Sequence, residues 1–415
     1  MNLLVLLLGL ALLPAAVAAQ QEDQHVARAK RILSLTPLVD GHNDLPWAIR
    51  NFEEAPKSVV AYDLTRRTPG HTDLERLDQG MVGAQFWSVY IPFGVADEGY
   101  AKVQLEQIDI ARQVIARFPD RFELALSASD VERIFGSGRI ASLLGMEGGH
   151  AIENSLGALR AYYDLGARYL TLTHGSNIDW ADSGTDSVRL GGLSPFGEEV
   201  VREMNRLGML VDLSHTSPGT MSDVLNVAEA PVIYSHSSAR GVVDHPRNVP
   251  DSILRRLPEN GSVVMVTFVP SFVSRRVRAH DLRTDSLRDA LEARWGHDAD
   301  RVRRERAAWR DRNPAPRATL LDVVEHIEHI RTLAGADHVG IGSDFDGISS
   351  VPIGLEDVST FPALFAELSR RGWSDDHLKK LAGENLLRVM REAEAVARRL
   401  QRQRPPSTRT IEERW

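Results

Sequence analysis

PFGEEVVREMNRLGMLVDLSHTSPGTMSDVLNVAEAPVIYSHSS, residues 195–238, carries the same plan twice. A helical pattern over Pro195–Leu207 gives way to an apolar run, Gly208–His215, and a second helical pattern over Pro218–Val227 leads into Ala230–Ser238. Both runs are short, bounded by glycine or polar residues, and apolar until their last residues. That is the pattern of strands covered on both faces. Strands that alternate with helices pair in parallel. Each of these two ends in a histidine, His215 and His236.

The plan extends in both directions. Further strand candidates are Pro37–Asp44, Met81–Tyr90, Ile140–Gly149, Ala167–His174, Ser262–Pro270 and His338–Gly347, which makes eight. Helical patterns at Tyr100–Phe118, Leu156–Leu165, Leu320–Leu333 and Ser374–Gln401 lie between or after them. Eight such units imply an α/β fold, a closed (β/α)8 barrel of TIM type. The arginine-rich stretch 271–317 reads as a mostly helical insertion after the seventh strand, packed on the outside. The expected organisation is a leader over 1–19, a barrel domain over 20–403 ending in a C-terminal helix, and a flexible tail over 404–415.

In such a barrel the carboxyl ends of all strands meet on one face, and here they carry chemistry. The first strand ends in Asp40-Gly-His42-Asn-Asp44; side chains two apart on a strand point the same way, so His42 and Asp44 can bind one ion together. The third ends in Gly145-Met-Glu147-Gly-Gly-His150. A carboxylate in an apolar strand is costly without a cation beside it, and its two oxygens can bridge two metals, which makes Glu147 the candidate bridge. His150 lies past the turn and reads as structural. His215 and His236, on adjacent strands, read as ligands of a second metal. His174, at the end of the fourth strand, is either a third ligand or a donor to a developing oxyanion. Asp344 ends the eighth strand and suits a general base beside a metal-bound water; Asp346 suits a turn cap. His326 and His329 fall on a helix remote from this face and read as solvated surface.

Composition narrows the chemistry. The 415 residues contain no cysteine, so disulfides and thiolate metal sites are both excluded. Ligation by His, Asp and Glu favours zinc, manganese or iron in a hydrolytic site. A net charge of −8 without a basic stripe argues against nucleic acid as a partner. The opening MNLLVLLLGLALLPAAVAAQ reads as a secretory signal: its apolar run is short for a membrane span, and small residues follow it. The expectation is therefore an exported protein, periplasmic or secreted, with no integral span once the leader is removed. The C-terminal RPPSTRTIEERW has no apolar tail of the kind a GPI signal needs.

Seven stretches in order, VDGHNDLPW (39–47), GMEGGHAIE (145–153), LTLTHGSNIDWAD (170–182), LVDLSHTS (210–217), VIYSHSSAR (232–240), RNVPD (247–251) and GIGSDFDG (340–347), resemble the membrane dipeptidase (renal dipeptidase) family, peptidase family M19. GENLLRV (383–389) is similar to that family's C-terminal helix. The resemblance implies a zinc-dependent dipeptidase with two Zn2+ per chain and a dipeptide substrate, including L-Xaa-D-Yaa, attacked by a metal-bridging hydroxide. It places His42 and Asp44 on one zinc, His215 and His236 on the other, and Glu147 between. It puts His174 near the scissile carbonyl, makes Asp344 the proton shuttle, and adds Arg247 as the holder of the substrate's free carboxylate. A homodimer is implied too, non-covalent because the cysteines that link animal members are missing. Phe272 stands where a tyrosine is expected in those members. Trp47, Tyr90 and Trp180 are expected as pocket walls. Two other readings stand beside this one: another binuclear-metal amidohydrolase (a lactonase or cyclic amidase), or a non-catalytic metal- or peptide-binding homologue. A strand-one His-x-Asp and a glutamate bridge, rather than His-x-His and a modified lysine, favour the dipeptidase.

Overall fold

The computed structural model describes residues 13–413. Residues 1–12 of the expected leader and 414–415 of the expected tail lie outside the described residues. Backbone from residue 13 onward belongs to helix α1 (Leu13–Leu35). No helix among the described residues is long and apolar enough to cross a membrane.

The opening stretch folds as its sequence dictates. Ser194 caps a helix by accepting from the Gly197 N–H, Pro195 occupies its first turn, and Gly208 ends it at a φ of 86°, a conformation that suits glycine. Ser217 and Pro218 start the next helix in the same way. The strands that follow these two helices are Leu210–Asp212 and Ile233–Ser237.

Nine parallel strands occur among the described residues: β1 (Leu38–Asn43), β2 (Val82–Ser88), β3 (Phe122–Leu124), β4 (Ile140–Glu147), β5 (Ala167–Thr171), β6 (Leu210–Asp212), β7 (Ile233–Ser237), β8 (Val263–Val266) and β9 (Val339–Ile341). Their order, β2-β1-β9-β8-β7-β6-β5-β4, closes through a β2–β4 pairing into the expected eight-stranded barrel. The ninth, β3, was not expected. It pairs with Ile140–Ser142 at the start of β4, while β5 pairs with Leu144–Glu147 at its end, so two strands share one edge.

The surrounding helices include α2 (Tyr100–Arg117), α3 (Leu156–Asp164), α4 (Pro195–Leu207) and α5 (Pro218–Val227). After β8 the insertion forms α6 (Pro270–Val273), α7 (Arg275–Trp295) and α8 (Ala299–Arg312). Only Val277, His280 and Val302 are buried in the last two, so the pair lies on the outside. Then come α9 (Leu320–Ala334) and, beyond β9, α10 (Asn385–Gln403). Leu386, Val389 and Met390 of α10 join Val39, Phe86, Leu143, Tyr169, Ile233 and Met265 of the strands in one buried cluster. The chain then runs back over α3 and α4, where Arg160 of α3 donates to the Ser407 carbonyl and the Ser407 N–H donates to Glu203 of α4.

One expectation fails here. His326 is fully buried: its Nδ1 accepts from the Ala239 N–H at 3.0 Å and its Nε2 donates to the Val273 carbonyl at 3.1 Å. Burial pulls its pKa down to about 4. It is a neutral strut joining α9 to α6 and the segment after β7, not solvated surface. His329 is part-buried and meets Asp251 at 2.9 Å.

The barrel mouth is set by close backbone approach. A Cβ at Gly342 would lie 1.8 Å from the Ser235 carbonyl oxygen, and one at Gly41 would lie 2.6 Å from the same atom. Gly342→Ala is therefore expected to destabilise the fold by about 3 kcal/mol, because two strand backbones would have to separate. Denaturant unfolding checks this; a loss below about 1 kcal/mol would show that the strands can spread.

Candidate metal centre

Glu147 ends β4 with its carboxylate among three imidazoles. Its Oε1 lies 3.0 Å from His215 Nε2 and 3.2 Å from His236 Nε2, and its Oε2 lies 3.5 Å from His42 Nε2. Asp44 Oδ2 approaches His42 Nε2 at 3.2 Å. Three overlapping groups of donors result: His42, Glu147 and His236; Glu147, His174 and His215; and His42, Asp44 and Asp344. Within each, the ligand atoms fall within 4.8 Å of one another. All five expected metal ligands, with His174 and Asp344, are thus brought together.

The donors fit a cation. His215 Nε2 and His236 Nε2 are 3.0 Å apart, and two imidazole lone pairs cannot share that space unless a proton or a cation stands between them. His42 Nε2 and Asp44 Oδ1 are buried without a hydrogen-bond partner. Burial, then the Arg247 and His174 charges, hold His215 well below the ordinary histidine range; burial and His42 do the same to His236. Burial opposes ionisation of Glu147, yet His42, His215 and His236 outweigh it and hold that carboxyl well below its usual range. Burial likewise opposes a proton on His42, but Tyr169, Asp44 and Glu147 prevail and raise it. Neutral imidazoles at His215 and His236 and an ionised carboxylate at Glu147 are the ligand forms of these groups.

Buried partners orient the rings. His42 Nδ1 meets the Tyr169 hydroxyl at 2.9 Å, and His236 Nδ1 meets Ser235 Oγ at 2.8 Å. Ser235 Oγ donates in turn to Asp212 Oδ2 at 2.6 Å. Such partners fix the tautomer and leave Nε2 free to ligate. Sequence reading missed Tyr169, Ser235 and Asp212. Tyr169 sits inside an apolar strand and passes for core; only in the fold does its phenol face Gly145, where a Cβ would lie 1.9 Å from the ring. At two strand ends the backbone is strained: His215 has a φ of 68° and Asp344 one of 69°, rare for residues with a side chain and a recurrent mark of functional sites.

The cluster floors a cleft of about 410 Å³ whose walls include Trp47, Tyr90, His174, Arg247 and Phe272. His174 lies between Tyr90 and His215, with ring centroids at 4.7 and 4.2 Å. Trp180 is not a wall: it is fully buried, with its ring against Gly149. His150 is buried too, stacked on Phe93 and bonded to the Ile91 carbonyl, in keeping with a structural role. Asp346 accepts from the His71 N–H at 2.6 Å, tying the strand end to a neighbouring loop rather than capping its own turn. Arg247 is buried, touches the His236 carbonyl at 3.2 Å, and lies 5.3 Å from the Phe272 ring centroid. It makes no ion pair within 4.0 Å among the described residues, although Asp344, Glu147 and Asp212 act on its charge from further away, and its Nε has no hydrogen-bond partner.

A family model for membrane dipeptidase (peptidase family M19) matches residues 26–404. The chain belongs to that family. As a membrane dipeptidase family member it is a metallopeptidase, a hydrolase with a metal cofactor and a dipeptide substrate. It is 42% identical over 389 residues to dipeptidase verJ of Clonostachys rogersoniana, covering 91% of this chain and 89% of that one. Among solved structures, this M19 chain is similar to the probable dipeptidase PvdM of Pseudomonas aeruginosa, with 25% identity, a TM-score of 0.78, and 90% and 100% of the two chains covered. It also shares its fold with a metallopeptidase of Rhodobacter sphaeroides liganded with a phosphinate mimic of the dipeptide L-Ala-D-Ala, at 24% identity and a TM-score of 0.71 over 86% and 99%.

Proposed function

We propose that this M19 metallopeptidase is a two-zinc dipeptidase whose substrates include L-Xaa-D-Yaa dipeptides. The observation that carries this reading is the Glu147 carboxylate converging on three histidine nitrogens in a cleft that also holds Arg247, whose guanidinium forms no ion pair with a carboxylate among the described residues. In this reading His42 and Asp44 hold one ion, His215 and His236 the other, and Glu147 both. Bound there, the ions supply a water acidified to hydroxide near neutral pH and a Lewis acid for the scissile carbonyl.

The remaining work falls to side chains. Arg247 takes the substrate's free carboxylate in a guanidinium fork. His174 donates an N–H to the carbonyl oxygen as it gains charge. Asp344 takes the nucleophile's proton on a carboxylate oxygen and returns it to the leaving amine nitrogen. Burial, with Asp44 and Glu147 nearby, pushes the Asp344 carboxyl well above its usual range against the pull of His42, which suits a group that must hold a proton in mid-reaction. Export after cleavage of a leader over 1–19, a single catalytic domain over 20–403 with a flexible tail, and a non-covalent homodimer complete the proposal.

The test is a kinetic screen of zinc-loaded and chelator-treated protein against a dipeptide panel that includes L-Ala-D-Ala. Turnover that disappears with chelation and returns with zinc is expected; bound zinc without hydrolysis of any dipeptide would favour a binding protein instead. Asp344→Asn is expected to lower kcat by about 10²- to 10⁴-fold with metal content unchanged. Near-normal turnover in that variant would remove Asp344 from the mechanism.

A further inference from the structure

The cleft does not end at Phe272. A second cavity of about 600 Å³ adjoins it, and Val269, Gly347 and Ile348 line both. Its other walls come from the charged insertion and from the loop after β9. Val277 of α7, Pro316, Ala318 and Val351 make it largely apolar, and Asp281 and Arg317 supply its charged groups. The cleft alone, at about 410 Å³, is within the range that small ligands occupy. The second chamber is therefore additional space, a half-open hollow bordered by elements outside the barrel.

Its position identifies which part of a substrate would enter. Val269 caps the N-terminus of α6, and Phe272 of the same short helix lies beneath the Arg247 guanidinium. The shared threshold therefore runs from the Arg247 side, at Val269, to the Asp344 side, at Gly347, where a Cβ would lie 2.7 Å from Asp344 Oδ1. A substrate's C-terminal side chain branches from the carbon that carries its free carboxylate. With that carboxylate on Arg247, this side chain is the part of a dipeptide nearest the threshold.

We infer that this chamber is a specificity subsite for a bulky apolar side chain on the C-terminal residue of the dipeptide, an inference that rests on the dipeptidase reading above. Burying such a side chain in an apolar pocket discriminates by roughly 10- to 200-fold for each methylene-scale difference in fit. The wild-type protein is expected to show a kcat/KM for L-Ala-L-Phe at least about tenfold above that for L-Ala-L-Ala.

Ser271→Trp and Val351→Trp each fill the chamber from a different wall, and neither residue lines the cleft. Both variants are expected to lose the preference for L-Ala-L-Phe while keeping L-Ala-L-Ala turnover within about twofold, which also reports an intact fold and metal site. L-Phe-L-Ala, with the large group at the other end, is expected to be unaffected. A preference unchanged in both variants, or absent from the wild type, with L-Ala-L-Ala still hydrolysed, would overturn the chamber alone. A fall confined to L-Phe-L-Ala would overturn its assignment to the C-terminal residue. Absence of turnover on every dipeptide would overturn the underlying reading and the subsite with it.

Discussion

Glu147→Gln is expected to lower dipeptide turnover by about 10²- to 10⁴-fold and to strip the protein of most of its bound metal. Glutamine keeps the size of the side chain and removes its charge. The carboxylate lies within 3.5 Å of His42, His215 and His236 together. Removing one partner from a buried charged set costs about 3–5 kcal/mol, and each 1.36 kcal/mol is tenfold. Elemental analysis after gel filtration, alongside steady-state kinetics, reads both effects. A variant that keeps the wild-type metal content and turns over within tenfold of wild type would mean that Glu147 only fills space between the histidines.

Arg247→Met is expected to cost about 10³-fold in kcat/KM, chiefly through KM, without loss of thermal stability. Burial already pulls the guanidinium down to about 10, and no carboxylate among the described residues pairs with it. The folded protein thus carries a desolvation cost that Asp344, Glu147 and Asp212 offset only in part, and a ligand carboxylate can offset more of it. Losing one partner of a buried charged pair costs about 2–5 kcal/mol of binding, whereas methionine should leave the empty protein as stable or more so. Dipeptide amides, which lack the free carboxylate, separate recognition from general damage: wild type should lose activity on them and the variant should lose little more. An equal drop on acids and amides in the variant would place Arg247 outside carboxylate recognition.

The barrel was legible because its strands are apolar runs between amphipathic helices, and because chemistry gathers at their ends. Phe122–Leu124 escaped notice because three residues give no period to read. His326 was misread because its sequence neighbours are glutamates; its burial comes from Ala239 and Val273, distant contacts that no local pattern encodes. Trp180 was placed in the cleft by its neighbourhood, yet Gly149 opens a slot for its ring in the core. The metal-ligand candidates could be picked individually from strand ends. Arg247 could not, because it follows no strand pattern, and family resemblance supplied it. Tyr169 and Ser235 were invisible for a related reason: a polar atom inside an apolar strand declares a partner only once the opposite strand is in place.

The first and last strands meet in a seam with its own fastening. Their ladder registers one residue pair, Asp40 with Ile341. Beyond it, Asp40 accepts from both the backbone N–H and the hydroxyl of Ser343, at 2.7 and 2.6 Å, and Asp344 donates its N–H to the His42 carbonyl at 3.0 Å. The seam brings residues about 300 positions apart into contact, so it can shut only after the ribosome has delivered nearly the whole chain. A nascent or prematurely terminated polypeptide ending before residue 339 would lack the Asp344 carboxylate and would leave Asp40 and His42 facing an open edge. Peptidase activity in this protein should therefore report completed synthesis, present in finished molecules and absent from fragments that end before residue 339.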